Sequence, residues 1–89
     1  MTSGLGVVRT SAEVTIRYWA SARAAAGCDI ESLTGHRVGD VLEAAAAAHP
    51  GLGAVLEVST ILLDGVAVTA SQPLSEGITL EVLPPFAGG

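Results

Sequence analysis

Two segments of strict alternation, Glu13–Trp19 and Ile78–Leu83, bracket one long run of helical spacing, Val38–His49, and two such changes of period within 89 residues narrow the folds open to the chain. In the first segment Val14, Ile16 and Tyr18 share one face while Thr15, Arg17 and Trp19 share the other, the pattern of a half-buried strand. In the last, Ile78, Leu80 and Val82 oppose Thr79, Glu81 and Leu83. Between them Val38, Val41, Leu42, Ala45 and Ala46 line one side of a helix, Asp40, Glu43 and Ala47 turn outwards, and Pro50-Gly51 ends it. Shorter signals fill the gaps. Ala20–Ala26 reads as a short helix stopped by Gly27, Cys28–Leu33 as a weakly marked strand, and Thr60–Leu63 with Val66–Thr69 as a hairpin about Asp64-Gly65. The order strand, short helix, strand, long helix and three strands predicts an α+β fold. One long helix and one short helix pack on a small mixed sheet whose first and last strands lie side by side at its centre.

A chain of this length makes one domain and buries roughly 60% of its unfolded surface. Residues 1–12, rich in Ser, Thr and Gly without periodicity, are expected to form a flexible extension, residues 13–83 the domain, and residues 84–89 an extended tail. Cys28 is the only thiol, so no internal disulfide is possible and a reducing compartment fits best. With no Lys, Arg or second thiol beside it in sequence, Cys28 is expected to act as a small apolar residue. The net charge is −5, and Arg9, Arg17, Arg23 and Arg37 are the only strong bases, which argues against nucleic-acid binding and favours an electropositive groove on a protein partner. Neither a secretory signal nor a membrane-spanning run is evident, so a cytoplasmic protein is expected.

The usual catalytic sets are missing. No Gly-rich phosphate loop opens a helix, and no Cys and His residues keep metal-ligand spacing, so neither a metal nor a bound cofactor is expected. His49 precedes a helix-stopping Pro and suits the helix macrodipole there, and His36 lacks acidic or nucleophilic neighbours in sequence. Attention shifts to the segment Leu83-Pro84-Pro85-Phe86-Ala87-Gly88-Gly89. Gly88 and Gly89 make the thinnest strand a polypeptide can form, one able to enter a channel that excludes side chains. Pro84 and Pro85 stiffen its root, and Phe86 to Gly89 reach roughly 13 Å at about 3.3 Å per residue. If the outer strands run parallel, Trp19 and Leu83 lie near the tail on the sheet face away from the helix, with Leu62 extending the patch into a docking surface.

These residues resemble a known family, the small sulfur carrier subunit of molybdopterin synthase, among the ubiquitin-like β-grasp carriers of molybdopterin and thiamine biosynthesis. The resemblance spans about Val14 to Gly89. It rests on Tyr18-Trp19-Ala20 with Arg23 and Gly27, on Val38-Gly39-Asp40-Val41-Leu42, on His49-Pro50 and Asp64-Gly65, and most specifically on Glu81 through Gly89. Two residues depart from it. Ala24 stands where an acidic residue commonly follows the Arg, and Arg37 where a Thr often caps the helix, which predicts a weaker cap.

The resemblance implies a β-grasp fold and a chain that is not an enzyme by itself. It implies that a ubiquitin-activating-type adenylyltransferase and sulfurtransferase uses ATP to adenylate the Gly89 carboxyl, which then becomes a thiocarboxylate. It further implies docking on the large synthase subunit in a heterotetramer, through Trp19, Arg23, Leu62, Leu83, Pro84, Pro85, Phe86 and Ala87, for dithiolene formation in molybdenum cofactor biosynthesis. Other readings are a carrier for thiazole or cysteine biosynthesis, a ubiquitin-like protein modifier, and a binding module with an incidental tail.

Overall fold

The computed structural model describes residues 11–85. Five strands and three helices follow one another as β1 (Ala12–Tyr18), α1 (Ala20–Ala26), β2 (Ile30–Gly35), α2 (Val38–Ala48), α3 (Leu52–Val58), β3 (Thr60–Leu63), β4 (Val66–Val68) and β5 (Thr79–Leu83). The sheet order is β2-β1-β5-β3-β4. The first and last strands are its parallel centre, with Ile16 opposite Leu80 and Tyr18 opposite Val82, and every other pairing is antiparallel. This is the α+β, ubiquitin-like arrangement that the alternating segments and the helix between them predict.

The alternation in β1 and β5 decides which face is covered. Val14, Ile16, Tyr18, Leu80 and Val82 are buried on one face with Ile61 of β3, and they pack in one cluster with Val38, Val41 and Ala45 of α2, Ala22 of α1 and Leu52 of α3. Each large aliphatic side chain so buried contributes about 1.5–3 kcal/mol relative to exposure. The predicted split of α2 holds: Val38, Val41 and Ala45 are buried, Leu42 and Ala46 half-buried, and Asp40, Glu43 and Ala47 exposed.

Local chemistry sets the corners. Asp64 and Gly65 both take positive φ, 48° and 88°, as a two-residue hairpin loop of the primed kind demands. The Asp64 carboxylate accepts from the Thr79 N–H and so ties this turn to the start of β5. Arg37 offers α2 no side-chain cap, as expected, but Asp40 supplies one from inside the helix, its Oδ2 accepting from the backbone N–H groups of His36 and Arg37.

Three elements differ from the sequence reading. β2 begins at Ile30 and ends at Gly35, two residues later than predicted, because it pairs with β1 from Arg17↔Ile30 to Ala12↔Gly35 and Cys28-Asp29 are used in the turn out of α1. β1 itself starts at Ala12, which is buried opposite Gly35. The helix α3 was not expected. Gly51, Gly53, Val55 and Val58 lower its intrinsic propensity, and it is held by tertiary packing, with Leu52 buried and Val55 and Leu56 against the core.

Candidate functional site

Trp19 sits where β1 turns into α1. Its backbone N–H still donates to the Val82 carbonyl, continuing the parallel ladder, and its carbonyl begins α1 by accepting from Ala22 and Arg23. The next residue, Ala20, takes a φ of 50°, a left-handed conformation that costs a residue with a Cβ about 1–2 kcal/mol. The chain thus swings into the helix directly after Trp19, whose side chain remains on the face turned away from the helices, 37% exposed.

That outer face has a polar centre. Trp19 Nε1 donates to Glu81 Oε2 at 3.1 Å, and the Arg17 guanidinium lies over the indole, 5.2 Å from its centroid. Register places Arg17 opposite Glu81, and Glu81 opposite Leu62, so one row runs Ile30, Arg17, Glu81, Leu62, Ala67 across all five strands. Leu83, opposite Thr60, lies one step nearer the end of β5. Leu62 and Leu83 are half-buried and Ile30 is 48% exposed. Around Trp19 the surface thus combines apolar Ile30, Leu62, Ala67 and Leu83 with the Arg17 cation and the Glu81 carboxylate.

The predicted patch of Trp19, Leu62 and Leu83 therefore shares one face. Arg17, Glu81 and Ile30 belong to it too and were not singled out from the sequence. Period two put Arg17 and Glu81 on the outer face, but their meeting across β1 and β5 depends on register, which no local pattern reports. Arg23 stands apart on α1, in a 3.6 Å ion pair with Asp29; both side chains are more than half exposed, so the pair contributes at most about 1 kcal/mol. Pro84 is buried and Pro85 exposed, so the root of the tail is seated on the domain at the end of the central strand. Phe86, Ala87, Gly88 and Gly89 lie outside the described residues.

A second constellation lies on the helix side. Tyr18 OH donates to Glu31 Oε2 at 2.5 Å, and the same oxygen is 2.7 Å from His49 Nε2. The His49 ring meets Tyr18 edge-on, with centroids 6.2 Å apart. Burial, the hydrogen bond to Glu31 and the Glu31 charge push the Tyr18 phenol far above its ordinary range. His49 is the C-cap residue of α2, as its position before Pro50 predicts: its backbone N–H donates to the Ala45 carbonyl, while its ring is engaged by Glu31. Cys28 completes the group. Burial first, then Glu31 and Asp29, push its thiol up, which is the opposite of what a nucleophilic cysteine needs.

A groove of about 350 Å³ lies elsewhere, between α2 and α3, and is lined chiefly by Leu42, Ala46, Gly53, Leu56 and Ala70. It holds only Glu43 and Glu57 as charged groups and shares no residue with either constellation. Among the described residues, no helix is long and apolar enough to cross a membrane.

Comparison with known proteins agrees with this architecture. The ThiS family model matches residues 16–89. Small archaeal modifier protein 1 from Methanosarcina acetivorans is similar with a TM-score of 0.82 at 26% identity, over 91% of this chain and 100% of that one. A putative molybdopterin converting factor subunit 1 from Pyrococcus furiosus gives 0.76 at 27% identity, over 84% and 99%. A chain of the complex of subunits 1 and 2 of molybdopterin-converting factor from Helicobacter pylori shares the fold, with a TM-score of 0.65 at 23% identity, over 86% and 99%. No curated protein sequence matches the chain at a significant level.

Proposed function

Because the chain belongs to the ThiS family of ubiquitin-like sulfur carriers, we propose that it carries sulfur as a thiocarboxylate on Gly89 and delivers it within a molybdopterin synthase. The observation that carries this reading is the parallel pairing of β1 with β5. It sets the Trp19 face beside the seated Pro84 root, so that one partner can grip the sheet and receive the tail at once. The similarity to the molybdopterin converting factor subunit 1 supports the choice of pathway.

The chemistry follows from the weakness of a carboxylate as an electrophile. A ubiquitin-activating-type adenylyltransferase joins the Gly89 carboxylate to the α-phosphate of ATP and releases pyrophosphate, forming a mixed anhydride whose leaving group is AMP. The terminal sulfur of a donor persulfide attacks the carbonyl and AMP departs. A second thiol cleaves the S–S bond of the resulting acyl disulfide, leaving the thiocarboxylate on Gly89 and a disulfide on the donor. The large synthase subunit then supplies acid, base and phosphate recognition for a cyclic pyranopterin monophosphate, while this chain supplies the sulfur and its position. This reading assigns the chain no bound cofactor and locates the steps in the cytosol, where ATP and reduced thiols are at hand.

Gly88 and Gly89 let the arm enter a narrow channel, and the prolines lower the ordering cost of its insertion. In this reading Trp19, Leu62 and Leu83 hold the domain on the large subunit; the Helicobacter pylori structure of like fold is a complex of subunits 1 and 2. Arg23 sits at the rim of that contact.

One other reading has a specific observation behind it. The similarity to an archaeal small modifier protein suits a carrier whose activated Gly89 is joined to lysine amines of target proteins. Both readings require the adenylate. The test is ATP–pyrophosphate exchange by the cognate adenylyltransferase, with this chain or a variant bearing one Ala after Gly89: exchange by the first and none by the second is expected, and equal exchange by both would overturn the tail assignment. Conjugates appearing on cell proteins would then select the modifier, and sulfur transfer to the pterin the synthase.

A further inference from the structure

We propose that Cys28, Glu31 and His49 form a binding site for one borderline-soft divalent cation, zinc above all. Three different donor types converge there from separate elements: a thiol from the turn after α1, a carboxylate from β2 and an imidazole from the end of α2. One ligand atom from each, Cys28 Sγ, a Glu31 carboxylate oxygen and a His49 ring nitrogen, all lie within 4.8 Å of one another. Ligands of a tetrahedral zinc ion, at metal distances of about 2.0–2.3 Å, sit roughly 3.2–3.7 Å apart. The cluster reaches that spacing by side-chain adjustments of about 1 Å, the His49–Glu31 contact opening and the thiol closing in.

The donor set is selective. Thiolate, imidazole and carboxylate together suit zinc far better than magnesium or calcium, which take oxygen donors alone. A thiolate and a carboxylate balance the charge of a divalent ion. Tyr18 acts as the supporting group, its O–H bond to Glu31 Oε2 fixing the carboxylate from the core side as outer groups commonly do around metals. His49 presents Nε2 to the cluster and donates through it to Glu31 Oε2 at 2.7 Å; ligation of a metal there releases that proton and opens the contact. All three ligands are partly exposed, so a fourth ligand such as water can reach the ion from solvent.

Sequence spacing hides this site. Cys28 and Glu31 are three residues apart, but His49 follows only after the whole of β2 and α2, and it reaches them because α2 packs back over β2. The site is separate from the sheet face that carries Trp19 and does not depend on the sulfur-carrier reading.

The test is calorimetric titration of the full chain with Zn²⁺ alone, beside Cys28→Ser, Glu31→Gln, His49→Gln and, as a control, His36→Gln. One ion per chain is expected, with affinity falling ten-fold or more in each of the first three variants and by less than two-fold in the control. Co²⁺ in place of Zn²⁺ should give a thiolate-to-metal charge-transfer absorption that disappears in Cys28→Ser. This variant is nearly isosteric, and circular dichroism establishes that it is folded, so it decides the matter if the other two lose structure. Zinc binding unchanged in folded Cys28→Ser, no charge-transfer band in the wild-type cobalt complex, or no binding at all would each overturn the site.

Discussion

Trp19 and Glu81, 62 residues apart in the chain, are joined by a 3.1 Å hydrogen bond from the indole Nε1 to Oε2 across the two central strands. The bond fixes the orientation of a large exposed aromatic ring beside the place where the last strand ends. An aromatic anchor held in one rotamer loses little entropy on binding, which is what an interface hot spot requires.

Trp19→Ala should therefore weaken binding to the large partner subunit by about 2 kcal/mol or more. Its own stability should change little, since the side chain is partly exposed and lies outside the core cluster. Calorimetric titration of the variant, with a melting curve to establish folding, checks both. Unchanged affinity would leave Trp19 a local cover for the sheet.

Glu81→Gln keeps the acceptor oxygen but removes the charge at the indole edge, and should cost less than Trp19→Ala, about 0.5–1.5 kcal/mol of affinity. The salt dependence of association should change as well, because the net charge moves from −5 towards neutrality. Stopped-flow association rates at two ionic strengths read this out.

Two glycines should respond to Ala in opposite directions. A Cβ on Gly35 would stand 2.8 Å from Asp40 Cβ and 3.2 Å from the Val41 backbone nitrogen, so Gly35→Ala must push β2 and α2 apart and should destabilise by about 1–3 kcal/mol. On Gly53, inside α3, the added Cβ meets only Ala46 Cβ, at 3.7 Å, and Gly53→Ala should stabilise by about 0.5–1 kcal/mol. Urea unfolding of the pair measures both signs.

Asp40→Ala should cost about 1–2 kcal/mol, since one carboxylate oxygen serves the N–H groups of both His36 and Arg37 at the start of α2. Arg37→Thr, by contrast, should gain less than a fresh cap normally yields, because those donors are already served. The same unfolding assay compares the two.

Much of this fold is legible in the sequence because its core faces are simple. Val14, Ile16 and Tyr18, and Leu80 and Val82, keep period two, and Val38, Val41 and Ala45 keep helical spacing, so burial is written into each segment. α3 is not legible, since Gly51 and Gly53 break the local signal and the helix is held by tertiary packing of Leu52, Val55 and Leu56 against the core. The shift of β2 has a similar origin: its ends are set by pairing with β1, and the chain from Cys28 to Leu33 contains no turn signal to mark them. The outer face was half readable. Trp19 and Leu83 follow from alternation, whereas Arg17 over the indole, and Glu81 at its edge, depend on the register of two strands far apart in sequence. Cys28, Glu31 and His49 needed the packing of α2 against β2.

The central claim is that Gly89 holds sulfur at its carboxyl carbon. Incubation with ATP, the cognate adenylyltransferase and a persulfide donor, followed by intact and tail-peptide mass spectrometry, tests it most directly. A gain of about 16 Da confined to the peptide ending at Gly89, the exchange of oxygen for sulfur, is the predicted result. An unchanged mass in the presence of an active adenylyltransferase, or sulfur found on Cys28 instead, would contradict it.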